Sequence, residues 1–76
     1  MHTIENAKIS KAFGAFIREG RHEKGLMQKE VAWQVDICRS YYTQIESGKK
    51  QVYLTEALNI CNVLDLDICE FANQLK

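Results

Sequence analysis

The stretch from Gln28 to Lys50 constrains this chain most. It reads as two short amphipathic helices joined by a tight turn. The second opens Arg39-Ser40-Tyr41-Tyr42-Thr43-Gln44 and closes Ile45-Glu46-Ser47-Gly48-Lys49-Lys50. One face of it collects the polar side chains of Ser40, Thr43, Gln44 and Ser47, and a basic loop follows. A helix that reads base edges beside a loop that grips phosphate needs these features.

The remaining segments also carry helical periods. Ile9, Phe13, Phe16, Ile17 and Gly20 recur at helical spacing. This first helix begins near Thr3 or near a cap at Ser10, and Gly25 supplies its left-handed stop after Lys24. The second helix runs over about 28–35, with Val31, Ala32 and Val35 inward and Glu30 in its first turn. Asp36 takes the following turn, and Ile37 anchors it to the core. The third helix covers about 39–47 and ends at Gly48. Tyr41 and Ile45 are expected inward. Tyr42 is open between core packing and phosphate contact. A fourth helix takes Leu54, Leu58, Ile60, Cys61 and Leu64. A fifth starts at Asp67, which with Glu70 forms an Asp-x-x-Glu capping box, and carries Ile68, Phe71, Ala72 and Leu75.

The bulk numbers narrow the class. Seventy-six residues with 46% apolar content and no proline favour one compact all-α domain over 1–76. A core of this size is marginal and gains from a partner subunit. No apolar run approaches the ~18 residues of a membrane span, and no signal peptide is visible, so a cytoplasmic protein is expected. Cys38, Cys61 and Cys69 are three cysteines without CxxC spacing, which disfavours a disulfide framework or a zinc site. Cys61 and Cys69 are expected on apolar faces as small buried hydrophobes. His22 is expected at the surface, His2 has no second ligand at useful spacing, and no nucleophile–base pair or glycine-rich phosphate loop occurs. No enzyme activity, cofactor, metal or small-molecule ligand is expected. The net charge of zero hides an uneven split. Residues 1–50 carry nine Lys and Arg against six acids, and residues 51–76 carry one against four. That suits one phosphate-facing surface and one surface with another use.

From Phe13 to about Leu75 the chain resembles the phage-repressor and Cro-type helix-turn-helix family, also called the XRE family. The matching residues are Ile17-Arg18-Glu19, Arg21, Lys24-Gly25-Leu26, Gln28-Lys29-Glu30-Val31-Ala32, Ile37, Tyr41, Gln44-Ile45-Glu46-Ser47-Gly48-Lys49 and Leu58-x-Ile60. The resemblance implies a five-helix repressor-like domain with its helix-turn-helix at about 28–48. It places Arg39, Ser40, Thr43 and Gln44 against base edges in the major groove. Gln28, Ser47, Lys49 and Lys50 would touch phosphates. Arg21 would pair with Glu46 and also reach a phosphate. Independent chemistry agrees: Gln suits adenine, Arg suits guanine, and Gln28 sits among unpaired first-turn N–H groups.

The chain departs from the family pattern at several positions. Met27 and Cys38 stand at helix caps where Ser or Thr is usual. Asp36 and Asp65 replace turn glycines. Gly20 replaces a large apolar residue and leaves a space for a neighbour. Trp33 lies on a usually polar face, and either folds over the first helix near Gly20 or packs on a partner.

The expectation is a sequence-selective duplex-DNA binder that regulates transcription as a homodimer on a near-palindromic operator. Half-sites would lie about 34 Å apart. Helix 5, at about 68–75, is the expected dimer surface through Ile68, Phe71 and Leu75. With no second domain in the chain, a stand-alone regulator is expected. Restriction–modification controllers rank ahead of small phage repressors and antitoxins. The rival reading is a protein-interaction module of the antitoxin kind, using Trp33 and the third helix without DNA.

Overall fold

The computed structural model describes residues 3–75, so His2 lies outside the described residues. Five helices follow one another: α1 (Thr3–Lys24), α2 (Gln28–Gln34), α3 (Arg39–Glu46), α4 (Leu54–Val63) and α5 (Ile68–Gln74). α1 packs chiefly on α3, and α2 on α3 and α4. The first helix thus starts at Thr3 rather than at Ser10, which is buried at 8% exposure.

The first four helices stop in the same way. Gly25, Asp36, Gly48 and Asp65 adopt φ of +70°, +60°, +79° and +56°. The residue after each donates its N–H back five positions: Leu26 to Arg21, Ile37 to Ala32, Lys49 to Gln44 and Leu66 to Cys61, at 2.8–3.1 Å. These are Schellman motifs, which satisfy helix-end carbonyls by turning the chain sharply back. Two of the four left-handed positions are aspartate, the side-chain class that tolerates this region better than most.

Helix starts rely less on side-chain caps. Met27, Cys38 and Tyr53 make no side-chain cap bond. At α2, Glu30 reaches back instead and accepts from the Met27 N–H at 2.8 Å. At α5, the Asp67 carboxylate accepts from the Cys69 N–H at 2.9 Å. That is an N2 cap; among the described residues neither bond of the expected Asp-x-x-Glu box is formed, and the Glu70 N–H donates to the Asp67 backbone carbonyl instead.

The core joins Phe13 and Ile17 of α1, Val31 and Ala32 of α2, Tyr42 and Ile45 of α3, Ala57, Ile60 and Cys61 of α4, then Leu64 and Phe71. Several expectations change here. Tyr42 is fully buried, whereas Tyr41 is half-buried at the core's edge and donates to Glu56 Oε1 at 2.7 Å. That bond, with burial, pushes the Tyr41 hydroxyl up to about 12. On α4, Leu54 and Leu58 point outward, and Ala57, Ile60 and Cys61 form the inner stripe. Cys69 is exposed rather than buried. Burial pushes the Cys61 thiol up to about 11, so it stays protonated at neutral pH.

Phe71 corrects the expected dimer surface. It is 7% exposed, and its ring meets Phe13 edge-on at 5.3 Å and Phe16 at 5.4 Å. Ile68 is half-buried against the same cluster, so only Leu75 of the expected three is largely exposed. The apolar face of this short helix closes the intramolecular core. Gly20's space is filled by Leu66, whose methyl carbons lie 2.6 and 2.8 Å from where a Cβ would stand. Trp33 is therefore not folded over Gly20; it is 83% exposed.

Candidate nucleic-acid interface

α3 has two unlike faces. Tyr42, Ile45 and Glu46 are buried, whereas Arg39, Ser40, Thr43 and Ser47 are exposed and Gln44 is half-buried. The buried positions recur at three and four, the spacing of one helical face. Gly14 sets how closely this face approaches α1. A Cβ there would overlap the Glu46 carbonyl oxygen and stand 2.6 Å from that of Ile45. Sequence reasoning passed over Gly14, because an isolated glycine within a helix gives no sign of which backbone will lie against it. The exposed face is thus presented outward by a tight helix–helix contact behind it.

A hydrogen-bond chain runs from α1 to the exposed face. Arg21 Nε donates to Glu46 Oε2 at 2.6 Å, and Nη2 donates to Oε1 at 3.1 Å. Arg21 Nη1 donates to the Leu26 carbonyl at 2.9 Å. Gln28 Nε2 donates to Glu46 Oε1 at 3.1 Å, and Thr43 Oγ1 donates to Gln28 Oε1 at 3.1 Å. Burial pushes the Glu46 carboxyl upward, but hydrogen bonds from Arg21 and Gln28 and the charge of Arg21 outweigh it. Its pKa falls below the ordinary value. The bond to Glu46 raises the pKa of Arg21 in turn. The Tyr42 hydroxyl is buried beside this pair with no hydrogen-bond partner among the described residues, and burial raises its pKa.

These bonds turn Arg21 inward. It is 9% exposed, away from the surface where a phosphate contact was expected, and its guanidinium is engaged with Glu46 and Leu26. A bidentate Arg–carboxylate pair at this depth fixes geometry more than it adds stability, yet removing one partner strands a charge. Gln28 remains half-exposed at the start of α2, with its amide held between α2 and α3.

The margins of the exposed face are basic. Lys49 and Lys50 are exposed, and among the described residues neither forms an ion pair. Lys11 of α1 lies against the same loop: a Cβ on Gly48 would stand 2.7 Å from the Lys11 Cα. Lys11 is a further cation at this edge that the linear sequence did not associate with the loop. Ser47 donates its hydroxyl to the Gln44 carbonyl at 3.0 Å, so its only hydroxyl hydrogen is directed back into the helix. At the opposite end of α3, the Cys38 Sγ lies 3.5 Å from Ser40 Oγ. That contact lowers the pKa of the exposed Cys38 thiol. Arg39 and Ser40 begin the helix here, open to solvent. Among the described residues no cluster could hold a metal ion, and no helix is long and apolar enough to cross a membrane.

Residues 12–74 match the family model described as a helix-turn-helix domain. The chain is 34% identical over 65 residues to the control protein C.MunI of Mycoplasma sp, covering 84% of this chain and 88% of that one. The restriction-modification controller protein C.AhdI of Aeromonas hydrophila superposes with a TM-score of 0.75 at 34% identity, over 82% of this chain and 94% of that one. The clp gene regulator ClgR of Corynebacterium glutamicum superposes with a TM-score of 0.81 at 25% identity, over 84% and 68%.

Proposed function

The chain belongs to the helix-turn-helix family of DNA-binding transcriptional regulators, and we propose that it is a controller-type regulator that binds a near-palindromic operator as a homodimer. The observation that carries this reading is the outward polar row of Arg39, Ser40 and Thr43, with Gln44 beside it. The row is braced by the buried Arg21–Glu46 pair and flanked by unpaired lysines. α3 enters the major groove. Arg39, Ser40, Thr43 and Gln44 face base edges, while the second amide hydrogen of Gln28 and the ammonium groups of Lys49 and Lys50 face phosphates. Lys11 joins them at the exit loop. Function rests on occupancy of the site, and no reaction is needed.

The second copy covers the large apolar side chains that the fold leaves outside. Among them are Leu54 and Leu58, one turn apart on α4, and Leu75 beyond α5. Their exposures of 71%, 44% and 46% make them costly to leave in water on a core this small. Dimerisation then links folding to concentration.

Selection from a random duplex library by the purified chain tests the whole reading. The expected product is an inverted repeat with half-sites about one helical turn apart. Failure to retain any duplex even in dilute buffer overturns it. Trp33, at 83% exposure, favours a second reading in which the domain docks a protein partner. Salt separates the two. DNA binding weakens with a log–log slope near −0.9 per phosphate contact, and a Trp33-centred protein contact changes far less.

A further inference from the structure

The direction of the hydrogen bonds between α2 and α3 determines what Thr43 can offer a base. Glu46 is the anchor. An ionised carboxylate only accepts, and Arg21 grips it through two N–H groups. The Gln28 atom 3.1 Å from Glu46 Oε1 must therefore be the amide nitrogen, since an oxygen there would face another acceptor. The other end of the amide, Oε1, then faces α3 and lies 3.1 Å from Thr43 Oγ1. A carbonyl oxygen also only accepts, so Thr43 must donate. Its hydroxyl carries a single hydrogen. With that hydrogen directed at Gln28, the exposed hydroxyl turns lone pairs alone to the outside.

Resting on the reading of α3 as the groove helix, we infer that Thr43 is an acceptor-only base reader whose polarity is set by Gln28. On the strand it reaches, it takes a base with an exocyclic amino group, adenine N6 or cytosine N4. It disfavours guanine and thymine, whose O6 and O4 are themselves acceptors. Gln28 acts as a positioning residue here, separately from any phosphate contact. Without it the threonine hydroxyl rotates freely and can donate as well as accept, so the discrimination is lost while Thr43 stays in place. A bare helix surface with Thr at this position would not discriminate, because hydroxyl rotors adapt to either partner.

The test compares the full chain with Thr43→Val, Thr43→Ser and Gln28→Ala. Library selection with the first two proteins locates the base pair whose preference Thr43→Val erases. Anisotropy titrations then use four duplexes that differ only at that pair. Wild type should favour adenine or cytosine over guanine or thymine by roughly three- to tenfold, the worth of one hydrogen bond. Thr43→Ser should keep that order. Gln28→Ala should bind all four within about twofold, while preferences at the other positions persist beneath a uniform loss of affinity. A wild-type preference for guanine or thymine at this pair overturns the inference without need of the Gln28 variant. So does a Gln28→Ala protein that retains the amino-base preference, or a Thr43→Val protein with every preference unchanged. In each of these cases an operator is still selected and the regulator reading stands. A wild-type chain that selects no duplex overturns both.

Discussion

The turn that closes α2 and the turn that closes α3 share one backbone. Each has a left-handed residue, Asp36 or Gly48, and each returns an N–H to the carbonyl five residues back. They differ in the side chain that follows. After α2 it is Ile37, packed against the core; after α3 it is Lys49, exposed to solvent. The turns after α1 and α4 side with α2, since Leu26 and Leu66 also pack against the core. A Schellman turn accommodates either outcome, and the apolar contact that commonly accompanies it is present three times and absent once. The exception lies where phosphate is proposed to approach. The backbone therefore sets where the chain reverses, and one side chain sets whether it reverses into the core or out to solvent.

This contrast puts Glu46, the last residue of α3, in the scaffold and Lys49, three residues on, among the proposed phosphate contacts. Glu46→Ala should be the most damaging change, at about 3–5 kcal/mol, because it strands the buried Arg21 guanidinium. Urea unfolding measures this. A loss below about 1 kcal/mol would move Glu46 out of the scaffold. The same pair predicts an acid limb. Glu46 has a lowered pKa in the folded chain, so its contribution is present above the unfolded glutamate value and is lost as pH falls through the folded one. Glu46→Gln should lack that limb in stability measured against pH.

Next in size, Ile37→Lys should cost about 3 kcal/mol by removing the apolar anchor of the α2 turn. A melt showing no loss would mean the anchor is dispensable and the contrast with Lys49 is empty.

The third effect sharpens the contrast between turns of identical backbone. Gly25 and Gly48 both have positive φ, but only Gly48 is crowded. A Cβ there would stand 2.7 Å from the Lys11 backbone, whereas one on Gly25 would meet nothing within 4 Å. Gly25→Ala should cost about 1–2 kcal/mol from conformation alone. Gly48→Ala should exceed it by about 1 kcal/mol through overlap. Equal shifts in melting would show that the exit loop is not held against α1.

The smallest expected change in stability is at Lys49. Lys49→Ala should leave unfolding within about 0.5 kcal/mol of wild type and lower the salt slope of duplex binding by about one. An unchanged slope removes Lys49 from the phosphate contacts.

Much of this was legible in the linear chain because it rests on local rules. Helical spacing of apolar residues found all five helices, the stops at Gly25 and Asp36 followed from which residues tolerate positive φ, Gly48 was read as the end of α3, and the turn at Asp65 came from the family pattern. The run from Gln28 to Lys49 was enough to suggest the family. Errors came wherever two neighbouring positions competed for one interior. Tyr41 and Tyr42 both lie near the inward face of α3, and only the position of α1 and Glu46 decides which ring is enclosed. Phe71 looked like a surplus apolar residue on a terminal helix, since nothing in its own helix signals that Phe13 and Phe16 await it. Leu54 and Leu58 fit a helical period as well as Ala57 and Cys61 do, and orientation of α4 against the bundle chose between them.

By itself, then, the sequence determined the helices, their stops and the polar composition of α3, because each depends on residues within a turn or two of one another. Tertiary structure decided which carbonyl Arg21 reaches, which end of the Gln28 amide faces α3 and where the Thr43 proton lies. Those depend on groups up to 25 positions apart that meet only after packing. Hydrogen-bond direction is a property of the assembled chain of partners, and no single residue in it carries that direction alone.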